Sequence, residues 1–270
     1  PFIRERLHLP SSPPLPQAVL AERVNNVYKL SMLHAAAAQT PRQRRREANL
    51  QRILEAAMTL VIEEGFDALS IHRLAKEVDY TPGALYRYFS GKGALIAALT
   101  AQVLEDLGAA VRQSIGRVEP QEPIQQALAA AFTYRAFARV APNRFGLLSL
   151  LAADPRMLVP DLTDAEPAIA AMAVAFAPLG QALDEAAAAG QLASGPGMDR
   201  AMQAFGTVHG LLQLRKQEGR LFQLADLDGL IDRALASLLR GWGADPEQVQ
   251  RHLAQVHALG PLAESLGVSR

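Results

Sequence analysis

The 270-residue sequence contains no cysteine, few aromatic residues and no excess of charge of either sign. The absence of cysteine excludes a disulfide framework and thiolate metal sites. Lys and Arg balance Asp and Glu at 27 each, so the net charge indicates no particular partner. Alternating runs of Val, Ile, Tyr and Thr are also missing, whereas Ala, Leu, Gln and Arg are abundant. The sequence therefore predicts an all-α protein.

Sequence signatures of enzymes are equally scarce. His252 and His257 in "HLAQVH" are five positions apart, whereas a zinc-binding H-E-x-x-H motif needs four. No G-x-S-x-G motif and no complete dinucleotide fingerprint occurs. The "GKG" at 91–93 lacks the Ser/Thr and the earlier glycine of a phosphate-binding loop. We therefore expect no catalytic residues, no cofactor and no metal site.

A long hydrophobic segment is missing as well. The longest uncharged stretch, 167–183, has 17 residues and contains Pro178 and Gly180, which makes it a poor membrane span. The N-terminal residues show no apolar core of a signal peptide, and "HLPSSPPLPQ" is typical of an extended segment. We expect a cytoplasmic protein with no membrane partner. Residues 1–40 are expected to form a flexible N-terminal extension, of which 1–31 lie outside the folded unit.

Positive charge is concentrated in "PRQRRR", which contains Arg42, Arg44, Arg45 and Arg46. Such a cluster is most often a solvated basic arm. A flexible basic arm next to a nucleic-acid-binding segment would add contacts to phosphates or to a minor groove, so its role depends on the segment that follows it.

Three helices are predicted between residues 47 and 90. The first covers about 47–64 and ends at Gly65, and the second is capped by Ser70 and stops at Asp79. Thr81 caps a third helix, with Pro82 at its first position, that runs to about residue 90. Two helices joined by a short turn match a helix-turn-helix.

The third helix has an outer face that is unusual for a solvated helix. Leu85 and Phe89 face inward, which leaves small residues at one end and Tyr and Arg along the rest. Small residues permit close approach to a partner, and Tyr and Arg bind phosphates and bases. The ordinary alternative is that the tyrosines pack under a neighbouring helix. The face consists of Pro82, Gly83, Tyr86, Arg87 and Tyr88.

The segment "RILEAAMTLVIEEGFDALSIHRLAKEVDYTPGALYRYFSGKGAL" resembles the N-terminal DNA-binding domain of TetR/AcrR transcriptional regulators. The resemblance implies that Ser70 caps the second helix and touches phosphate, and that His72 and Arg73 reach DNA from that helix. It also implies that Thr81, Pro82, Gly83 and Tyr86 meet the groove or its walls, and that Tyr88 and Lys92 contact phosphate. Three positions depart from the family pattern: Asp79 stands where glycine is usual, Tyr80 replaces a smaller apolar residue, and Gly93 replaces an acidic one.

The remaining chain reads as a helical bundle with a linking helix over about 94–116. "YRAFARVAPNRFGLLSL" and "FGTVHGLLQL" resemble the ligand-binding part of a TetR subgroup named for a Trp-His-Gly signature, with Phe205 in place of the tryptophan. An effector cavity is one interpretation of the Met and aromatic residues, and an ordinary core is the other. The candidate effector residues are Phe132, Phe137, Met157, Met172, Phe176 and His209. The last two helices of the bundle resemble the family's four-helix dimer interface, which implies dimer contacts at Leu211, Leu212, Leu235 and Leu238.

These features together predict four segments: the extension 1–40, a helix-turn-helix domain 41–93, an effector-binding and dimerisation domain 94–243, and an extra helix or tail 244–270. The favoured function is that of a homodimeric repressor that binds double-stranded DNA at a pseudo-palindromic operator. A small apolar or amphipathic effector would release it. The alternatives are an effector-independent activator or architectural DNA-binding protein, and a helical lipid-binding or protein-interaction module with a vestigial DNA-binding domain.

Overall fold

The computed structural model describes residues 40–119, 122–153, 159, 161–217, 226–260 and 262. Helices and short turns make up these residues, with no strand among them, and the expected all-α fold is confirmed. Ten α-helices are present in this described part of the chain. The first three form a small unit at the N-terminal end, and the other seven form a larger bundle.

The N-terminal unit contains α1 (Pro41–Glu64), a 3-10 turn (Phe66–Ala68), α2 (Ile71–Glu77) and α3 (Pro82–Leu85). α1 begins earlier than residue 47, because Thr40 and Gln43 form a capping box with bonds of 2.8 and 3.3 Å. The basic cluster is therefore the start of a helix, which corrects the expectation of a flexible arm. The three helices of this unit, the segment after the 3-10 turn and the start of α4 all contribute buried apolar side chains: Ile53, Ala57, Leu69, Leu74, Leu85 and Leu95.

The larger part contains seven helices: α4 (Lys92–Ile115), α5 (Pro123–Val140), α6 (Pro142–Ala153), α7 (Leu162–Ala188), α8 (Gly197–Gln213), α9 (Leu227–Gly241) and α10 (Pro246–Ala258). A 3-10 turn, Leu214–Gln217, extends α8. α7 begins at Leu162, where the Asp161 carboxylate caps the helix by accepting hydrogen bonds from the N–H groups of Thr163 and Asp164. Pro167 and Pro178 both lie inside this helix.

α4 is the central helix of the molecule and packs along α7. The two backbones come close at Gly108, where an added Cβ would lie 3.2 Å from Cα of Ala175. A larger residue at this position would push the two helices apart. By length and composition alone α4 and α7 are also apolar enough to cross a membrane. The apolar window of α4 is 67% buried and that of α7 is 33% buried within the chain, which for α4 is the pattern of a core helix.

The predicted extra C-terminal helix is present as α10, with Pro246 in its first turn and Asp245 as its cap. Its apolar side chains Val249 and Val256 are 0% and 1% exposed, and the helix packs on α5 and α9. His257 adds a polar contact, because its Nε2 lies 2.8 Å from Oδ2 of Asp232 on α9. α10 is therefore an integral part of the bundle rather than a free tail.

Candidate DNA-binding surface and interior cavity

The turn between α2 and α3 depends on a left-handed residue at Asp79. Its φ of +56° is the only positive φ of a non-glycine residue in the described chain. The N–H of Tyr80 donates to the carbonyl of Ala75 at 2.8 Å, and the N–H of Asp79 lies 3.5 Å from the carbonyl of Lys76. This pair of bonds is a Schellman motif, which ends a helix and requires φ > 0 at this position. The structure therefore keeps the turn that the family pattern builds with glycine.

α3 is shorter than expected, but its orientation agrees with the sequence. Thr81 Oγ1 accepts a hydrogen bond of 3.2 Å from the N–H of Ala84, and Pro82 occupies the first helical position. The helix proper ends at Leu85, and tighter turns carry the chain to residue 89. Leu85 and Phe89 are 0% and 3% exposed, so both face inward as predicted. The opposite side of α3 is consequently turned to solvent.

The solvent-facing side of α3 and of the turn after it carries five of the thirteen predicted DNA-binding residues. Tyr86 is 51% exposed, which is unusual for a large aromatic side chain. Thr81, Gly83 and Arg87 are also exposed, and Pro82 is half-buried beside them. Tyr88 differs from this group: it is half-buried against the core, with its ring centroid 6.4 Å from that of Phe89. Only part of Tyr88 is therefore available to a partner.

α2 places its predicted residues at the edge of the same surface. Ser70 Oγ caps the helix by accepting a 3.1 Å hydrogen bond from the N–H of Arg73, and His72 is exposed. The guanidinium of Arg73 is held by two carboxylates, Glu64 at 2.5 Å and Glu77 at 3.1 Å. The hydrogen bond to Glu64 is the main reason that the pKa of Arg73 is raised. To reach DNA, the Arg73 side chain would have to leave these two partners.

Lys92 and the basic cluster lie at the starts of two other helices, α4 and α1. Lys92 is exposed in the first turn of α4, with Nζ 3.5 Å from the carbonyl oxygen of Phe66 and 5.2 Å from the centre of that ring. Arg44, Arg45 and Arg46 are exposed on the first two turns of α1. A helical start holds these three charges at fixed spacing, so they add positive charge to a defined region of the surface.

An apolar cavity of about 260 Å³ lies inside the bundle. Five helices, α4 to α8, contribute to its walls, and two of its lining residues, Met172 and Ala152, are exposed to solvent. No charged side chain occurs among the described residues that line it. Its volume is close to the lower end of typical small-molecule sites, roughly 300–1,000 Å³. The lining residues contributed by α4 are Thr100, Leu104, Leu107 and Val111.

The polar groups at the wall are few and form hydrogen bonds within the protein. Thr100 donates its hydroxyl to the carbonyl of Ile96 in its own helix, at 2.8 Å. The hydroxyl oxygen of Tyr134 lies 2.6 Å from Nδ1 of His209, and Nε2 of that imidazole lies 3.0 Å from the amide nitrogen of Gln213. Burial raises the pKa of Tyr134 and lowers that of His209. Both side chains are therefore neutral at neutral pH.

The predicted effector residues divide into three groups. Met172 and Phe176 line the cavity. Phe137 and His209 stand behind its wall and pack around Tyr134, with ring centroids 6.2 Å from the Tyr134 ring in both cases. Phe132 points away, toward α10, where it lies under the guanidinium of Arg135 at 4.0 Å and beside His257, so it is corrected to a core residue. Met157 lies outside the described residues.

The predicted dimer contacts also divide. Leu212 and Leu235 are 3% and 4% exposed in a single chain, so they belong to its own core and offer no surface to a second chain. Leu211 and Leu238 are half-buried. The sequence did not predict that three other apolar side chains on α8 and its extension are more exposed than these leucines. They are Met198, Met202 and Leu214.

Sequence reasoning also missed most of the cavity wall. Phe205 and Tyr134 are central to it, with ring centroids 5.3 Å apart, and Phe176 meets Phe205 edge to face at 4.9 Å. The "FTYRAF" sequence of α5 contained a usable signal, because a tyrosine on an otherwise apolar face needs a hydrogen-bond partner once buried. The α4 residues gave no such signal, since an apolar residue beside a cavity has the same pattern as one in a packed core.

Comparisons with known proteins fit both parts of the molecule. Residues 53–99 match the family described as bacterial regulatory proteins, tetR family, and residues 127–238 match a tetracyclin repressor-like C-terminal domain. The HTH-type transcriptional regulator BetI of Brucella anthropi is 32% identical over 97 residues, which are 36% of this chain and 47% of that protein. The chain thus spans about half the length of this curated relative.

Two solved structures share the fold over most of the chain. A protein of unknown function from Rhodococcus sp. RHA1 is 25% identical with a TM-score of 0.57, over 72% of this chain and 95% of that one. The transcriptional regulator FadR of Bacillus subtilis, solved in complex with stearoyl-CoA, is 16% identical with a TM-score of 0.56, over 71% of this chain and 98% of that one. The expected resemblance to the TetR/AcrR family is confirmed.

Proposed function

Because this chain belongs to the TetR family of transcriptional regulators and carries that family's helix-turn-helix, we propose that it is a cytoplasmic, homodimeric repressor. It binds a pseudo-palindromic operator in double-stranded DNA through residues 70–92, and a small apolar or amphipathic effector releases it. The observation that supports this function most is α4, which begins at Lys92, a predicted phosphate contact, and also forms one wall of the cavity. A single helix therefore contributes residues to both sites.

DNA binding is assigned to the exposed face of α3. The small residues Thr81 and Gly83 let α3 approach the floor of the major groove, while Tyr86 and Arg87 reach bases or phosphates. Lys92, Ser70 and the α1 arginines hold the backbone on either side. Sequence preference then comes from α3, whereas most of the affinity and its salt dependence come from the cations.

Release follows from the position of the cavity relative to α3. Thr100, the cavity residue closest to the start of α4, is eight residues from Lys92, or about 12 Å at 1.5 Å per residue. A ligand that occupies the cavity presses on α4 and α7, which are in close contact at Gly108. In a dimer, two α3 helices must remain about one helical turn of DNA apart, roughly 34 Å. A ligand that binds better to the conformer with altered spacing lowers DNA affinity.

A second connection joins the two parts outside α4. Ser90, in the segment between α3 and α4, donates its hydroxyl to the carboxylate of Asp164 in the first turn of α7, with O···O distances of 2.8 and 2.9 Å. Further along, the same helix lines the cavity with Met172 and Phe176. α7 therefore reaches the DNA-binding unit at one end and the cavity in its middle.

Dimerisation is assigned to the exposed apolar side chains of α8 and its extension. Met202, Leu211 and Leu214 provide surface there, and Leu238 of α9 is partly accessible nearby. Apolar area of this kind on a bundle surface is a common means of forming a twofold-symmetric dimer. The mass of the protein in solution, measured by light scattering, tests this part of the proposal. A monomer at micromolar concentration would contradict it.

The experiment that tests DNA binding starts with footprinting of the purified protein on the DNA upstream of its own gene. Fluorescence anisotropy on the protected fragment, from 50 to 300 mM salt, should show affinity that falls steeply with salt. Tyr86→Ala should weaken operator binding at least tenfold, whereas Ile62→Ala, which removes an exposed apolar side chain from α1, should not. Salt-independent binding would argue for the lipid-binding or protein-interaction alternative. An unaffected Tyr86→Ala variant would show that the assigned DNA-binding face is wrong.

A further inference from the structure

The wall of the cavity places one polar group where a bound molecule can meet it. The ring of Tyr134 lines the cavity, and the residue is only 6% exposed to solvent. Its hydroxyl oxygen lies 2.6 Å from His209, so the side chain cannot turn freely. The other hydroxyl at the wall, that of Thr100, is already used by a carbonyl of its own helix.

The direction of the Tyr134–His209 hydrogen bond follows from its neighbour. The amide nitrogen of Gln213 lies 3.0 Å from Nε2 of His209 and can only donate. With the Gln213 amide oriented as it stands in the structure, Nε2 is the unprotonated nitrogen of this neutral imidazole, and Nδ1 carries the hydrogen. Nδ1–H then donates to the Tyr134 oxygen, and the hydrogen of the Tyr134 hydroxyl remains for another acceptor.

Charge at the cavity wall restricts the occupant further. No Lys, Arg, Asp or Glu occurs among the described residues that line it. A carboxylate or an ammonium ion in this site would lose its hydration without gaining a counter-charge, which is strongly unfavourable. The aromatic cluster of Tyr134, Phe176 and Phe205 favours flat or flexible apolar groups instead.

We propose that the cavity binds an uncharged, mainly apolar molecule with one hydrogen-bond acceptor, such as a carbonyl or ether oxygen, and that the Tyr134 hydroxyl donates to that acceptor. His209 and Gln213 are positioning residues, since they set the direction in which Tyr134 donates. This inference rests on the proposed effector cavity and names the chemical class of its ligand. A buried donor that loses its partner is costly, so analogues without an acceptor are bound less well.

Four probes of nearly equal size and shape test this chemistry on the protein without DNA. Acetophenone offers one acceptor, α-methylstyrene replaces its oxygen by a methylene, benzoate is an anion and benzamidinium is a cation. Isothermal titration at neutral pH should show acetophenone bound about threefold to tenfold more tightly than α-methylstyrene. Neither charged probe should bind measurably. Equal binding of the first two, binding of a charged probe as tight as that of acetophenone, or no binding of any probe would overturn the proposal.

Two variants test whether the Tyr134 hydroxyl is the cause of the preference for acetophenone over α-methylstyrene. Tyr134→Phe should bind acetophenone and α-methylstyrene equally, because the donor is gone. Gln213→Leu changes an exposed residue, so folding is preserved, and it should reduce the preference because Tyr134 can then donate to His209 instead. Gln250→Leu, the same change at an exposed position of α10, should leave the preference intact. A preference that survives in Tyr134→Phe would contradict the assigned role of the hydroxyl.

Operator binding, measured separately, distinguishes the two proposals. If the probe preference is found but acetophenone releases no DNA at saturating concentration, the cavity chemistry stands and the release mechanism fails. If DNA is bound and released by other ligands but the probes show no preference for an acceptor, the proposed function stands and the ligand class is wrong.

Discussion

At the scale of single residues, the turn before α3 depends on Asp79. Aspartate tolerates the left-handed region better than most residues because its short side chain can bond to nearby backbone, but it still adopts that region at a cost. Glycine adopts it freely, and the extra freedom that glycine has in the unfolded chain offsets part of the gain. Because Asp79 has a φ of +56°, a substitution at this position can increase the stability of the fold.

Asp79→Gly should raise the free energy of unfolding by about 0.5–1 kcal/mol, since the left-handed strain is removed. Asp79→Val should lower it by at least about 1 kcal/mol, because a β-branched side chain fits this conformation poorly. Urea unfolding followed by circular dichroism measures both changes. As a control, Asp67→Gly, in the 3-10 turn where φ is not positive, should not stabilise the protein. A destabilised Asp79→Gly variant would show that the turn is not strained.

Lys92 is the residue at which phosphate binding is easiest to isolate. Its Nζ has a carbonyl and a ring as neighbours but no carboxylate within salt-bridge distance among the described residues, so its charge is available to a polyanion. Lys92→Ala should weaken binding to operator and unrelated DNA by a similar factor and reduce the slope of log K against log salt by about one. Arg251→Ala removes an exposed positive charge from α10 and should change neither quantity. Unequal losses on the two DNAs would make Lys92 a base contact.

At the scale of helices, α7 contacts both the segment next to α3 and the cavity. Its first turn holds Ser90 through Asp164, and its middle forms part of the cavity wall. Tilting of α7 by a bound ligand would therefore pull on the segment that positions α3. The hydrogen bond is partly solvent-exposed, so its contribution to stability is small, whereas its effect on coupling is direct.

Ser90→Ala should leave operator affinity without ligand within about twofold and reduce by about threefold the factor by which a cavity ligand weakens DNA binding. The measurement is the operator Kd with and without saturating acetophenone, or the natural effector once known. Ser237→Ala, at an exposed serine on α9 that bonds only to its own helix, serves as the matched control. If the ligand weakens DNA binding equally in the Ser90→Ala variant and the unsubstituted protein, the coupling runs through α4 alone.

At the scale of the whole molecule, the neutral histidine behind the cavity makes stability depend on pH. Burial lowers the pKa of His209 below its ordinary value of 6.5, so between the two values the unfolded chain binds a proton that the folded chain does not. The titratable group that faces it is Tyr134, which is neutral, and the rings of Phe145 and Phe205 cover it. No carboxylate among these neighbours compensates a charged imidazole.

The urea midpoint should therefore fall as pH decreases below about 6.5, because the stability contributed by neutral His209 is lost in that range. In His209→Gln the midpoint should fall less steeply over the same range, even if its value at pH 8 is lower. The other histidines are present in both proteins and contribute equally to both slopes. Parallel slopes would mean that His209 is protonated as easily in the folded state as in the unfolded one.

Local sequence signals predicted the N-terminal part of the molecule well. Caps at Ser70 and Thr81, proline at a first helical position and inward-facing Leu85 and Phe89 all act within a few residues, so their effect does not depend on the rest of the chain. The same reasoning placed the start of α1 at about residue 47, because it missed the capping box of Thr40 and Gln43 that begins the helix at Pro41. It also missed that Arg73 is held by Glu64, a residue nine positions away.

The cavity and the contacts around it depend on helices that are distant in the sequence. A leucine of α4 that faces empty space has the same periodic pattern as Leu212, which is packed, because both lie on the apolar side of an amphipathic helix. Whether such a leucine lines the cavity or is packed depends on the spacing of the five helices around the cavity. Periodicity and capping are properties of neighbouring residues, and they specify helices and the face of α3. The cavity, the Tyr134–His209–Gln213 chain and the Ser90–Asp164 bond arise only when the assembled helices bring these side chains together.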